Sequence, residues 1–334
     1  MTRPALLLCL AAAVTACRPI RPAGNAGGDD QSIALIEAVP AAPGAPIAEA
    51  VSFLGDTLHR PRFPAATQAR LESDYDSAMA RLQARPDDPD AWIWVGRRAG
   101  YLGAYQRAIA VFTFALDKFP NDPRLYRHRG HRYISTRQLD YAIADLERAA
   151  ARMEGRQDEI EPDGQPNARN IPIGSLKSNV WYHLALAHYL KGDWDEAVRA
   201  ARSGIAVSSN PDRLVSQTHW LYMALRRGGG GRDAEAAATV AGIRDDYDII
   251  ENDSYYRLVK LYRDGVSRAA VDSVLGAPGA SSPSDASFAY GLANWLLYSG
   301  DTTRATRAFE RILGGGSWAS FGYIAAEADL ARLR

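Results

Sequence analysis

Between Pro89 and Glu154 one pattern is written twice, 34 positions apart, and this repetition limits what the chain can become more than any other feature. Trp92 returns as Tyr126, Gly96 as Gly130, Ala108 as Ala142, Phe112 as Leu146 and Ala115 as Ala149. A fixed period of this length means two-helix units stacked side by side. The residue types give the physical reason. Trp92, Val95, Phe112 and Leu116 are large and apolar at helical spacing, and Gly96, Ala108 and Ala115 are small where two helices must approach closely. Gly103 breaks the chain between the helices, and Pro120 ends the second one.

This pattern resembles the tetratricopeptide repeat (TPR) family. The match covers Trp92, Gly96, the turn at Gly103–Tyr105, Ala108, Phe112, Ala115 and Pro120, then Tyr126, Gly130, Tyr133, Leu139, Ala142, Leu146 and Ala149. A third unit follows at Trp181, Leu184, Ala185, Gly192, Trp194 and Ala197. The second unit departs at Arg129, where the family usually has Leu, so that side chain must snorkel or find an acidic partner. The resemblance implies an all-α fold: a TPR-like α-solenoid of antiparallel helix pairs. No segment alternates with period two, so almost no sheet is expected.

The N-terminus reads as an export signal over residues 1–16. Arg3 supplies the charge, and Leu6 to Val14 is an apolar run too short to span a bilayer permanently. The run ends in Val14-Thr15-Ala16-Cys17, which resembles the lipobox of bacterial lipoproteins. That resemblance implies cleavage before Cys17 and its lipidation. The alternative is an ordinary signal peptide with a chance cysteine. Several acyl chains, at about 0.8 kcal/mol per buried methylene, would make attachment effectively permanent. Arg18 rather than Asp follows the cysteine, as in Gram-negative lipoproteins routed to the outer membrane, so the expected place is the envelope, facing the periplasm. With Cys9 and Cys17 the only cysteines, no disulfide framework or zinc finger can form.

Residues 17–50 are rich in Pro, Gly, Ala and Asp and read as a disordered tether with a span of about 30 Å. Residues 51–88 hold a more apolar segment and a helix over 65–84 that caps the stack. Two units occupy 89–156, an acidic Pro/Gly insertion 157–177, further units 178–316 and a capping helix 317–334. The stretch from Gly276 to Ser284 reads as a linker.

Where the TPR resemblance holds, the first helix of each pair lines the concave face. Its outward positions are the candidate peptide-binding residues: Arg97 and Tyr101 in the first unit, Arg124, Arg127 and His131 in the second, Tyr182 and Tyr189 in the third, and His219 in the fourth. Arg124 to Arg132 is the densest basic cluster in the chain, and Arg127 and His131, four apart, share a helix face. Guanidinium forks suit carboxylates, so the expected partner is a protein or acidic peptide. TPR domains that clamp C-terminal carboxylates are similar, but they use Lys and Asn where Arg and His stand here. The plainer alternative is a solvated charged face balanced by Asp117, Asp140 and Asp145. A third reading folds the acidic insertion, with Asp158, Glu159, Glu161 and Asp163, back over the groove as a lid.

Other functions find less support in the residues. Thirty-nine Lys and Arg against 39 Asp and Glu leave no net charge, which argues against a nucleic-acid partner. His183 and His188, five apart, point in different directions, so no metal or other cofactor is expected. There is no phosphate-binding glycine loop, no HExxH and no nucleophile elbow, and the chain is read as non-catalytic. The competing class is an envelope enzyme, such as a cell-wall hydrolase, on an α-helical toroid; it needs a closed cavity with two paired carboxylates.

Overall fold

A computed structural model describes residues 46–276 and 282–334. The export signal, Cys17, most of the expected tether and much of the expected linker lie outside the described residues. A two-stranded hairpin comes first, β1 (Ala48–Val51) and β2 (Thr57–His59), then a lone helix α1 (Ala65–Ala84) at the expected bounds. Among the described residues the helices then follow two by two: α2 (Pro89–Tyr101) with α3 (Tyr105–Lys118), α4 (Pro123–Ser135) with α5 (Leu139–Met153), and α6 (Leu176–Lys191) with α7 (Trp194–Ala206). The next three are α8 (Pro211–Gly228) with α9 (Asp233–Ala241), α10 (Asp253–Asp264) with α11 (Arg268–Gly276), and α12 (Pro283–Tyr298) with α13 (Thr302–Leu313). Helix α14 (Phe321–Leu333) closes the chain.

The repeat is visible in its polar joints as well as its core. Asp88 and Asp122, 34 positions apart, cap α2 and α4 by accepting from the amides of Asp90 and Arg124, and a proline occupies the first turn of each helix. A proline there gives up only a donor the helix cannot use. The indole of Trp92 donates to the Pro86 carbonyl and the hydroxyl of Tyr126 to the Pro120 carbonyl, the same contact one period on. Inside each pair the crossing is as tight as the small residues require. A Cβ on Gly96 would overlap the Phe112 ring, and one on Gly130 would press into Leu146. Arg129 finds its acidic partner: it forks onto Asp145 through Nε and Nη2, at 2.6 and 2.9 Å, and its guanidinium lies near the rings of Tyr126 and Tyr133.

First helices pack on first helices along the stack, α2 on α4, α4 on α6, α6 on α8, α8 on α10 and α10 on α12, forming a continuous inner layer. The curl is tight enough for α8 also to reach α12 and for α14 to reach α6. Helix α14 is therefore more than an end cap, because it sits against the inner side of the curl. Its Asp329 accepts two hydrogen bonds from Arg227 of α8, at 2.8 and 2.9 Å, and its Glu327 accepts two from Arg137, at 3.1 and 2.7 Å. The N-terminal hairpin joins the same closure. The Phe53 amide donates to Glu327 at 2.7 Å, and the Trp318 indole donates to the His59 carbonyl at 2.9 Å. This corrects the expected tether boundary at residue 50. Ala48 to Ala50 are in strand β1, and the buried Glu49 accepts from Arg60 and from the Gln106 amide. That contact pins the hairpin to the start of α3.

Arg137 stands one period after Gly103, and both have positive φ, 64° and 71°. For a residue with a Cβ this conformation costs about 1 kcal/mol or more. It aims the Arg137 guanidinium at Glu327, Ser135 O and Trp318 O. Arg137→Gly should relieve the backbone yet lower stability by about 2–4 kcal/mol, since removing one partner of a buried ion pair costs more than the strain it carries. Denaturant unfolding of the variant measures this, and unchanged stability would contradict it. Gly130→Leu should lower stability by about 1–3 kcal/mol through overpacking against Leu146, again read by denaturant unfolding.

Candidate functional site

The basic run of α4 lies on the inner layer, and the insertion between α5 and α6 crosses over it. The insertion is rooted by a short antiparallel bridge, Ile160 with Ser175, in which the Glu161 amide donates to the Gly174 carbonyl and the Leu176 amide to the Glu159 carbonyl. Glu161 then turns inward. Its carboxylate lies 2.9 Å from Nη2 of Arg127, both side chains only 11% exposed, and it accepts from the side-chain amide of Asn179 on α6. Farther along, Arg97 donates to the Pro162 carbonyl at 2.7 Å and Arg98 to the Gly164 carbonyl at 3.0 Å. Gly164 itself rests on Tyr101, in a space where any Cβ would collide with the phenol. At the far end Arg169 forks onto Asp248, at 2.6 and 2.8 Å, and Asn167 donates to Glu251, just before α10. The strap therefore spans the inner face from the first pair to the fifth.

Beneath the strap, guanidinium groups outnumber the carboxylates that pair with them. Arg132 lies against Gly100 and over the Tyr105 ring, and Arg213 of α8 donates to Asn179 Oδ1 beside the Tyr182 ring; neither makes an ion pair among the described residues. The buried Nε atoms of Arg127 and Arg213 meet no acceptor. Burial, opposed by Glu161 and aided by the fields of Arg97, Arg132 and Arg213, holds the Arg127 guanidinium down to about 10. His128, His131 and His183 line the same interior, and burial first, then these arginines, keeps all three well below the usual imidazole range. His131 and His183 lie ring to ring at 4.3 Å, with Phe321 of α14 closing on both.

The structure brings together Arg97, Tyr101, Arg127 and His131; of the other four predicted residues, three are sealed in the core and one is engaged at the edge. Tyr182, Tyr189 and His219 sit on the inner layer as expected, but the tightness of the curl seals them. Tyr182 hydrogen-bonds the Tyr255 hydroxyl at 2.8 Å and Tyr189 the Tyr290 hydroxyl at 2.7 Å, while His219 lies between Tyr255 and Tyr262 with no exposure. None of the three can touch a peptide in this arrangement. Arg124 is engaged at the edge, pairing with its own cap Asp122 and with Asp90 one repeat earlier. Arg98, Arg132, Asn179 and Arg213 were missed. Arg132 ends the basic run already singled out and Arg98 stands next to Arg97, but nothing local distinguishes the last two.

Among the described residues the buried carboxylates are each held by a partner of their own. Glu49 is held by Arg60, Asp145 by Arg129, Glu327 by Arg137 and Asp329 by Arg227, and Asp212 accepts from the amides of Ile250, Glu251 and Asn252.

The 34-residue period, the glycine crossings and the inner layer of first helices together settle the architecture. It is a TPR-like α-solenoid. No protein-family profile matches the chain, and no curated protein does. Among solved structures the solenoid is similar to YrrB, described as a TPR protein with an unusual peptide-binding site, at 12% identity and TM-score 0.41 over 72% of this chain and 92% of that one. It is also similar to TTC0263, a thermophilic TPR protein in Thermus thermophilus, at 19% identity and TM-score 0.40 over 58% of this chain and 92% of that one. A third similarity is to the structure of Naa15/Naa10 bound to HypK-THB, at 14% identity and TM-score 0.34 over 74% and 35% of the respective chains.

The buried histidines tie the solenoid's stability to pH. Burial holds His219 down to about 3. The unfolded chain takes up that proton near pH 6.5, whereas the folded chain refuses it until about pH 3, so stability falls as pH drops below 6.5. His219 alone should cost about 2 kcal/mol on going from about pH 7 to about pH 5. Urea unfolding at the two pH values should show this loss, and His219→Phe should reduce it; an equal loss in the variant would refute the assignment.

Proposed function

We propose that the solenoid is a non-catalytic protein-binding scaffold, whose inner arginine face takes an acidic segment of a partner protein. The observation that carries this reading is the imbalance around Arg127: four buried or half-buried guanidiniums, of Arg97, Arg127, Arg132 and Arg213, lie together, and among the described residues one carboxylate, Glu161, makes an ion pair with them. Buried cations of this kind are costly unless they meet anions, and guanidinium forks favour carboxylates. With no net charge on the chain, the basic character is local and suits a defined acidic segment better than a nucleic-acid backbone.

The scaffold is proposed to work in the bacterial envelope, as an assembly or organising factor held by a lipid on Cys17 and facing the periplasm from the outer membrane. The run Leu6 to Val14 and the sequence Val14-Thr15-Ala16-Cys17 support that placement. Cys17→Ser should move the protein from the membrane to the soluble fraction; continued sedimentation with membranes would refute the anchor. Cross-linking of the chain in its native envelope, followed by identification of the attached protein, tests the scaffold reading. Arg127→Glu should abolish that cross-link without loss of helicity, and an unchanged cross-link would place the site elsewhere.

A further inference from the structure

The strap that covers the arginine face has the chemistry of a ligand. Residues Glu161-Pro162-Asp163-Gly164 cross the inner layer outside any helix or strand. The Glu161 carboxylate is held by Arg127 and by Asn179. The carbonyl after it, of Pro162, accepts from Arg97, and that of Gly164 accepts from Arg98. Asp163 is half-buried, and its Oδ2 meets no hydrogen-bond donor among the described residues; burial raises its carboxyl above the usual range. Beyond the root at Ile160 and Ser175, the strap is joined to the helices through side chains; among the described residues, no backbone-to-backbone hydrogen bond links residues 162–171 to a helix. A segment tied down in this way can leave without breaking any secondary structure, and anything that supplies the same groups can replace it.

We infer that residues 161–164 are a built-in pseudo-ligand: the arginine face recognises a segment with one carboxylate and free backbone carbonyls one and three residues after it, and the chain covers that face with its own copy until a partner's segment displaces it. This rests on the scaffold reading above and names its partner's chemistry. One partner segment can then present its carboxylate to Arg127 while the carbonyls one and three residues after it accept from Arg97 and Arg98. The partner's apparent affinity is then its intrinsic affinity reduced by the fraction of chains whose strap is open. A second use of the same geometry is selectivity. Gly164 is seated on Tyr101 where a Cβ would collide, so the position three after the carboxylate must be glycine or the end of the contact.

The test uses the full-length chain in detergent and a fluorescent peptide with the sequence of residues 157–170. Two variants loosen the strap by different routes. Glu161→Gln removes the carboxylate, and Gly164→Val forces the strap off Tyr101 without altering any arginine. Circular dichroism and thermal melts establish that each is folded. Both variants should bind the peptide at least about tenfold more tightly than the unaltered chain by fluorescence anisotropy. A peptide carrying Gln at the Glu161 position should lose that gain, and so should Arg127→Gln combined with Gly164→Val. If both folded variants bind no better than the unaltered chain, the pseudo-ligand is overturned. If partner cross-linking responds to Arg127→Glu but not to Gly164→Val or Glu161→Gln, the pseudo-ligand is likewise overturned while the scaffold reading survives. Tighter peptide binding by the two variants upholds the pseudo-ligand even where no envelope partner is cross-linked.

Discussion

Everything in this solenoid depends on how closely two helices of one pair can approach. At Gly96 the Phe112 ring occupies the volume that a side chain would need, and at Gly130 Leu146 does the same. Larger residues at either position would push the helices apart and change the angle at which the next pair docks. Because each pair is built on the previous one, such angles accumulate. Here they accumulate into a curl so tight that the inner helices meet across the middle, α8 with α12 and α6 with α14. The electrostatics of the interior follow from that curvature. Arginines that would face water on an open superhelix are forced into each other's fields, and Glu161 is drawn in from the insertion to meet one of them.

The repeat itself was open to reading from the residues, because it is a local property. Period, helix bounds near Ala65 and Ala84, the small-against-large pairing and the need of Arg129 for an acid all follow from spacing between residues close together in the chain. The degree of curl was not, since it is a sum over small rotations that no single repeat encodes. For that reason Tyr182, Tyr189 and His219, correctly placed on the inner layer, turned out to be sealed. Their hydroxyls and rings bond to residues 43 to 101 positions away. Arg137 is another instance: its letter suggests a surface charge, and only the fold shows it in a glycine-like conformation with its head on Glu327, 190 positions on.

The insertion occupies an intermediate case. Its composition announced a loop with acid in it, and the neighbouring basic run suggested where that acid could go. The pairing of Glu161 with Arg127 follows from charge, but the carbonyl contacts of Arg97 and Arg98 and the seat of Gly164 on Tyr101 depend on the path of the backbone. Charge complementarity can nominate a contact, and only the path of the backbone says which other groups join it.

The meeting of β1, β2 and α14 changes what kind of polymer this is. Ordinary repeat arrays are held by nearest-neighbour interfaces, so terminal repeats fray first and unfolding can spread from either end. Here the Phe53 amide reaches Glu327 across 274 positions and the Trp318 indole reaches His59 across 259. Neither end can peel away without breaking its hold on the other, which converts a linear stack into a loop without ends. Loss of the last helix would free the Phe53 amide, bare Arg137 and Arg227, and uncover His131 and His183 at once, so damage at one end of the stack would be felt at the other.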